Sequence, residues 1–226
     1  MTHKVHPKIF RIKGIEDWQS QWFGKRNYKF NLEQDYRIRE FIKKQLKPAA
    51  VDEVIIKRSA NSIHIVVRAA RPGIIIGRGG AGIQELKKEI IKKIFSAKGG
   101  SASGGKGKIK GLDIKIDIEE IGKAEIQASI VAQAIAEQLE RRMPFRRVIK
   151  QATEKVMQNP EVKGIKVYVS GRLNGSEMAR NEKSIKGRLP LQTIRANINY
   201  AHVDAHTIYG IIGVGVWIYK GEIFEK

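Results

Sequence analysis

The stretch IGRGGAGI, residues 76–83, decides how the surrounding chain folds. It follows the apolar run Ile74-Ile75-Ile76, which is strand-like in composition, and it precedes an amphipathic segment that predicts a helix. The apolar stripe of that helix comprises Ile83, Leu86, Ile90, Ile91 and Ile94. A glycine-rich turn that opens a helix predicts a place where the backbone can approach a ligand closely.

Two patterns fit the glycines of this turn. Gly77, Gly79 and Gly82 satisfy G-x-G-x-x-G, the dinucleotide-binding pattern. The acidic residue that should follow about 20 residues later to bind a ribose would fall in the Gly/Ser/Lys-rich segment 98–108, which predicts a flexible loop. The stretch also resembles the I-G-x-x-G-x-x-I motif of KH domains, in which two glycines admit a nucleotide backbone and apolar residues line a groove for bases.

We favour the KH interpretation. The alternative is a purely structural turn that binds no ligand. The candidate RNA-binding residues of the turn are Gly77, Arg78, Gly79 and Gly80. Helical spacing from Asp35 to Leu46 predicts a preceding helix, and β-rich segments at 51–58 and 62–68 predict a hairpin. Alternation at 112–118 predicts a last strand. The order helix, strand, strand, helix, strand resembles a type II KH domain.

Beyond residue 121 the pattern predicts a second domain. Apolar periodicity indicates two helices, one ending at Arg142 and one over Phe145–Gln158. β-rich stretches follow at 164–170, 193–200 and 211–219, and the segment 171–190 is basic without a strand pattern. The predicted fold class is α+β. The predicted organisation is a basic N-terminal arm with an aromatic anchor (1–34), a type II KH domain (35–121) and a C-terminal α+β domain (122–226).

Charge indicates the class of partner. The 226 residues include 43 Lys and Arg against 23 Asp and Glu, a formal net charge of +20, while 42% hydrophobic residues suffice for a packed core. Such an excess predicts a polyanionic partner. No segment approaches the ~20 apolar residues that span a bilayer, and the N-terminus lacks the apolar run of a signal peptide. We therefore expect a nucleic-acid-binding protein that is neither secreted nor partnered with a membrane.

Patterns for catalysis and metal binding are incomplete. The absence of cysteine excludes disulfides, thiolate zinc sites and cysteine nucleophiles. Residues 100–106 approach a P-loop, but Gly107 stands where the magnesium-binding hydroxyl should be. His202 and His206 have the spacing of H-E-x-x-H without its glutamate. We predict no catalytic residue, no metal and no cofactor.

The most concentrated charge lies at 141–150. On a helix, Arg146, Arg147 and Lys150 share one face, and only Glu154 is close enough to pair with it. Such faces neutralise phosphates without reading sequence. The alternative is an ordinary solvated helix surface that contacts no nucleic acid. Further candidates for RNA contact are Lys4, Lys8, Arg11, Arg172, Arg180 and Arg188.

Several longer stretches resemble a single family. They are KVHP (4–7), ARPG (70–73), GIKVYVSGRL (164–173), GSEMAR (175–180), GRLPL (187–191) and TIYGIIGV (207–214). Together they are similar to the bacterial-type family of small-subunit ribosomal protein S-three over nearly the whole chain. The chain departs from the family at 97–110, which is longer and richer in Gly and Lys, and at Arg78-Gly79, where the family commonly has two lysines.

The resemblance implies a structural constituent of the head of the small ribosomal subunit, not an enzyme. It implies binding to small-subunit ribosomal RNA beside the channel through which mRNA enters. It also implies that Arg146, Arg147 and Lys150 face incoming mRNA and assist its unwinding during translation. The implied protein neighbours are small-subunit proteins two, ten and fourteen, with four and five across the channel. The implied location is a cytoplasmic or organellar ribosome.

Two rival functions remain open at this point. A free KH-type regulator outside the ribosome would bind short single strands of selected sequence. An enzyme that uses Gly77, Gly79 and Gly82 for a dinucleotide would be stabilised against heat by NAD.

Overall fold

The computed structural model describes residues 5–12, 14–25, 27–59, 62–95 and 113–224. The chain divides into two compact units. The first is Trp18–Gly122, and the second is Lys123–Lys226 together with Met1–Asp17. This division splits the segment 1–34, which the sequence presents as one arm, because its two parts bond to different sheets.

The first unit packs helices against a four-stranded sheet. In chain order its elements are β1 (Ser20–Gln21), α1 (Tyr28–Gln45), β2 (Val51–Arg58), β3 (Ser62–Ala69), α2 (Pro72–Ile76), α3 (Ala81–Ile90), a π-helical turn (Ile91–Phe95) and β4 (Asp113–Glu120). The sheet order is β1-β2-β3-β4. The β2–β3 pair is antiparallel, and both outer pairs are parallel. The predicted order of helices and strands around the glycine-rich turn is confirmed.

One face of this sheet carries the core of the first unit. Ile38 and Ile42 of α1 pack with Ile56, Ile65 and Ile90 from the strands and α3, and all five are almost fully buried. Burial of each such side chain contributes about 1.5–3 kcal/mol. The helices that flank the glycine-rich turn are therefore held in place by a well-packed hydrophobic core.

Asp35 ties the start of the first unit to α1. Its buried carboxylate accepts hydrogen bonds from Ser20 Oγ (2.9 Å), Trp22 Nε1 (2.8 Å) and Arg58 Nε (2.7 Å). A buried carboxylate is costly unless its oxygens are paired, and here a guanidinium, an indole and a hydroxyl supply the donors. This network explains why the segment around β1 belongs to the first unit.

The sequence misplaces the start of one helix in the first unit and misidentifies one short segment. α1 begins at Tyr28 rather than at Asp35, because its first turns carry exposed residues such as Phe30 and Leu32 that break the apolar period. The run Ile74-Ile75-Ile76 is not a strand: it belongs to the single-turn helix α2. Pro72 sets the backbone for that helical turn, and only Ile75 faces the core.

The second unit packs two helices on an antiparallel sheet. In chain order its elements are α4 (Ala128–Glu140), α5 (Phe145–Met157), β5 (Gly164–Gly171), β6 (Arg180–Gly187), β7 (Ala196–Thr207) and β8 (Gly210–Glu222). The sheet order is β6-β5-β8-β7, with every pair antiparallel. Ile135 and Val148 from the helices meet Ile165, Val167 and Val216 from the sheet, all within 1% of full burial.

β6 is a strand within the basic segment that carries no strand pattern. It pairs only with β5 and forms an edge of the sheet. Its residues are mostly exposed, including Ile185. An edge strand with little apolar burial lacks the period-two signal on which sequence prediction depends, so this element was missed.

Arg11 anchors the N-terminal segment inside the second unit. Its side chain is only 1% exposed. The guanidinium donates hydrogen bonds to the carbonyl oxygens of Ala196 (2.8 Å), Leu191 (2.9 Å), Thr193 (3.0 Å) and Pro7 (2.9 Å). Burial lowers the pKa of Arg11, an effect that nearby Glu16 opposes. This cation serves the fold.

Candidate nucleic-acid interface

The glycine-rich turn of the first unit combines two kinds of glycine. Gly77, Gly79 and Gly80 have φ values of 68°, 61° and 79°. Gly79 and Gly80 are in the left-handed helical region, which costs other residues about 1–2 kcal/mol. Gly77, with a ψ of −176°, is in a region that essentially only glycine adopts. A Cβ on Gly82 would lie 2.4 Å from the carbonyl oxygen of Ile75, so Gly82 permits the close packing of α2 and α3. A Cβ on Gly79 or Gly80 would meet nothing within 4 Å. Those two glycines expose backbone.

The surface beside this turn offers one cation and apolar side chains. Arg78 is exposed and makes no ion pair with any residue that the structure describes. Ile74 and Ile76 of α2 are 52% and 38% exposed. Open backbone next to a cation and apolar side chains fits an unstacked strand of nucleic acid, because phosphates can approach the turn and bases can contact the isoleucines.

The basic face of the second unit is the outer side of α5. Phe145, Val148 and Ile149 are buried against the sheet, which at helical pitch turns Arg146, Arg147 and Lys150 to the outside. The Arg146 side chain is 82% exposed and lies 3.8 Å from a carboxylate oxygen of Glu182. Within the described part of the chain, Arg147 and Lys150 have no ion-pair partner. The structure therefore brings the predicted cations together on one open face.

The other predicted RNA contacts separate into three groups. Lys4 lies outside the described residues. Arg11 is withdrawn from the RNA-facing set, because its guanidinium is buried on backbone carbonyls. Arg172 is also committed to the fold: Nε donates to the Ser176 carbonyl (2.9 Å), and the guanidinium lies 5.8 Å from the Tyr209 ring centre. Those with accessible side chains are Lys8, Arg180 and Arg188.

Sequence reasoning missed a cleft at the start of α5. It has a volume of about 420 Å³, and Arg146 and Arg180 both line it. The turn Leu173–Gly175 and Ser176 form another part of the wall. Arg146 on the helix is separated in sequence from the turn and the strand by most of α5 and the whole of β5, and no spacing rule connects them. Only the fold brings the two arginines together.

The described residues supply no metal centre. Within the described ranges no three His, Asp or Glu side chains are grouped to hold a metal ion. His202 and His206 lie on the same face of β7, and His202 Nδ1 is 3.7 Å from Asp204. The P-loop-like segment 100–107 and the departure from the family pattern at 97–110 lie outside the described residues. Among the helices that the structure describes, none is both long and apolar enough to cross a membrane.

The fold and this surface define a class of protein: an RNA-binding protein built on a KH domain. Comparison with known families supports the class and refines it. The KH domain family matches residues 37–126, and the family described as ribosomal protein S3, C-terminal domain, matches residues 135–218.

Relatives that match nearly the whole chain support the same family. Small ribosomal subunit protein uS3 of Lactobacillus helveticus is 45% identical over 99% of this chain and 92% of its own length. The proteins of that name from Alkalilimnicola ehrlichii and Caldicellulosiruptor saccharolyticus are each 44% identical over 100% of this chain, covering 93% and 95% of their own lengths. The chain belongs to the family of small ribosomal subunit protein uS3.

Family membership decides between the functions left open by the sequence. The chain is a structural, non-enzymatic component of the small ribosomal subunit. RNA binding and a part in translation are consistent with this family. The dinucleotide interpretation of Gly77, Gly79 and Gly82 is set aside, and so is a free regulator outside the ribosome. The α+β class with a KH domain and a second C-terminal domain is confirmed.

Proposed function

We propose that this chain binds small-subunit ribosomal RNA in the head of the subunit and lies beside the channel through which mRNA enters. There, Arg146, Arg147 and Lys150 hold incoming mRNA and assist its unwinding. The single observation that carries this proposal is the outer face of α5, where three cations are exposed and, among the described residues, Arg146 alone of the three has a carboxylate partner, Glu182 at 3.8 Å. The ribosome in the cytoplasm is the location that follows.

In this role the basic face of α5 acts on mRNA by electrostatic attraction. Three cations on a rigid helix neutralise neighbouring phosphates and release counterions. They hold a separated strand that lies along the helix while the ribosome moves. Movement of the mRNA by the ribosome supplies the work of unwinding, so the face needs no nucleotide site of its own.

The test replaces Arg146, Arg147 and Lys150 by alanine together in ribosomes. We expect slower translation through a stable mRNA hairpin and unchanged translation of unstructured mRNA. A matched control replaces Lys123, Lys155 and Lys186, which are exposed cations of the same unit already paired with Glu161, Glu125 and Glu154. The control removes equal charge. Equal passage of both variants through the hairpin would contradict the mRNA-facing role.

We also propose that the glycine-rich turn contacts RNA. Replacing Arg78 and Gly79 by aspartate should weaken RNA binding by charge repulsion. Asparagine at both positions is the matched control, because Asp and Asn tolerate the left-handed backbone of Gly79 equally well and differ in charge. If the two double variants bind ribosomal RNA with the same affinity, the turn is structural only.

Protein neighbours complete the proposal. The first unit exposes Trp18, Phe23 and Phe30, with Phe23 90% exposed, and apolar side chains of this size suit protein contacts. We propose small-subunit proteins two, ten and fourteen as neighbours, with four and five across the channel. Cross-linking of assembled subunits through a cysteine at Phe23 would identify the neighbour of this surface.

A further inference from the structure

The cleft at the start of α5 is a built feature of the second unit. Its volume is about 420 Å³, and its walls come from the start of α5, the 173–176 turn and β6. It opens beside the basic face of α5, since Arg146 belongs to both. A strand that follows the α5 face therefore reaches this cleft.

One wall of the cleft is held in a fixed shape. Asn174 and Gly175 have φ values of 52° and 78°. A Cβ on Gly175 would lie 3.0 Å from the Tyr209 ring, so the turn packs directly on that ring. Arg172 Nε holds the Ser176 carbonyl at 2.9 Å, and Arg172 Nη1 reaches the Tyr209 carbonyl at 3.4 Å. A preformed wall lowers the entropy lost when a ligand binds.

The charges of the cleft favour an anion. Arg146 and Arg180 line it together with one carboxylate, Glu182. The Arg146–Glu182 pair is long, at 3.8 Å, and largely exposed, and such pairs contribute little. In the part of the chain that the structure describes, Arg180 has no ion-pair partner. Two guanidinium groups on opposite elements suit a phosphate, whose oxygens accept bonds from planar forks.

We propose that this cleft seats a phosphodiester of single-stranded RNA between Arg146 and Arg180, on the path of the strand held by α5. The proposal deepens the proposed function by assigning Arg180 and the 173–176 turn to the same track. Phe145 is the only aromatic residue lining the described cleft and is buried, so the cleft binds backbone rather than a stacked base. Recognition is therefore independent of sequence.

The first experiment measures binding of a uridine oligonucleotide to the purified full chain over a range of salt concentrations. Each phosphate contact with a single strand contributes about 0.7 to the slope of log affinity against log salt. Arg180→Ala should lower that slope by about 0.7 relative to the unmodified chain. An unchanged slope overturns the proposal.

Lys186→Ala is the matched control. Lys186 lies on the same face of β6, because strand residues alternate between faces, but at the other end of the strand, where its Nζ is 3.5 Å from Glu154. It should leave the slope unchanged. An equal fall in slope for Lys186→Ala and Arg180→Ala would overturn a specific seat, since any lost cation would then act alike.

A second experiment identifies the source of the phosphate. The chain contains no cysteine, so Ser176→Cys places one thiol at the cleft for a photo-cross-linker in assembled, mRNA-bound subunits. Cross-links to mRNA support the proposal as stated. Cross-links only to ribosomal RNA, or only to protein, overturn the placement on the mRNA track.

The two proposals fail separately. If the triple alanine variant of α5 slows translation through hairpins while Arg180→Ala keeps the full salt slope, the cleft proposal falls and the proposed function stands. If Arg180→Ala lowers the slope while the triple variant translates hairpins normally, the cleft binds RNA and the mRNA-facing role of α5 falls.

Discussion

The glycine-rich turn of the first unit and the α5 face of the second unit offer RNA two different surfaces. The turn presents backbone: Gly79 and Gly80 are open, and Arg78 is its one cation. The α5 face presents three cationic side chains on a helix whose other side is core. Affinity at the turn depends on backbone conformation, whereas affinity at α5 depends on charge. Substitutions should therefore couple stability and binding in the first region and separate them in the second.

The largest effect is expected from Gly82→Val in the turn region. Even the first carbon of a side chain would lie 2.4 Å from the Ile75 carbonyl oxygen and 3.1 Å from that of Ile76, so α2 must move away from α3. Overpacking of this kind costs about 3 kcal/mol. Denaturant unfolding of the full chain measures it. Gly73→Val is the control, because a Cβ there meets nothing within 4 Å; equal destabilisation would contradict the close-packing argument.

The next effect tests whether every arginine of the second unit serves RNA. Arg11→Ala removes the donor of the hydrogen bonds to the Ala196, Leu191 and Thr193 carbonyls, and should destabilise the chain by about 2 kcal/mol. Arg11→Lys should recover little, because an ammonium cannot span these acceptors. The salt slope of RNA binding should stay unchanged in both variants. A lower slope would return Arg11 to the RNA-facing set.

These two positions show what sequence could and could not predict of the fold. Strong apolar periods gave α3, α4, α5 and the β2–β3 hairpin with nearly correct bounds, because buried faces impose their spacing on the sequence. β6 and the first turns of α1 bury little, so they left no period to detect. The run before the turn, strand-like in composition, is helical because Pro72 at the start of α2 presets the backbone for a helical turn, and that single turn buries Ile75.

The candidate site also has a part that the sequence could predict and a part that it could not. A helix face is set by local pitch, so Arg146, Arg147 and Lys150 could be assigned to one surface from their spacing alone. Whether a cation faces solvent depends on tertiary structure: Arg11 and Arg180 look alike in sequence, yet one is buried on carbonyls and the other lines the cleft. That Arg146 and Arg180 line the same cleft could not be predicted without the strand order of the second sheet.

A smaller effect sharpens the role of exposed backbone in the turn. Gly79→Ala adds a Cβ that meets nothing within 4 Å but imposes strain at φ 61°, which costs about 1 kcal/mol. RNA affinity should fall although no charge changes, because the added methyl group blocks the open backbone. Gly73→Ala is the control for an added methyl group without strain. Affinity that stays equal to that of the unmodified chain would show that backbone access at Gly79 is unimportant.

The smallest effect concerns the N-terminal segment of the second unit and follows from the pKa of His6. The His6 ring packs edge-on against Tyr200 at 4.9 Å. Burial lowers the pKa of His6 below its ordinary value, and Lys8 lowers it further. Below about pH 6.5 the unfolded chain therefore binds more protons at this residue than the folded chain does. The stability that His6 contributes is present above that pH and is lost as the pH falls through the lowered pKa.

His6→Gln tests this linkage, because glutamine does not titrate. Unfolding free energies of both chains, measured from about pH 7.5 down to about pH 5.5, should diverge: the unmodified chain should lose more stability than the variant as the solution becomes acidic. The same comparison should leave the salt slope of RNA binding at α5 unaffected, since the contact lies between His6 and Tyr200 rather than on the basic face. Parallel pH profiles for the two chains would show that the edge-on contact does not discriminate between the neutral and the charged imidazole.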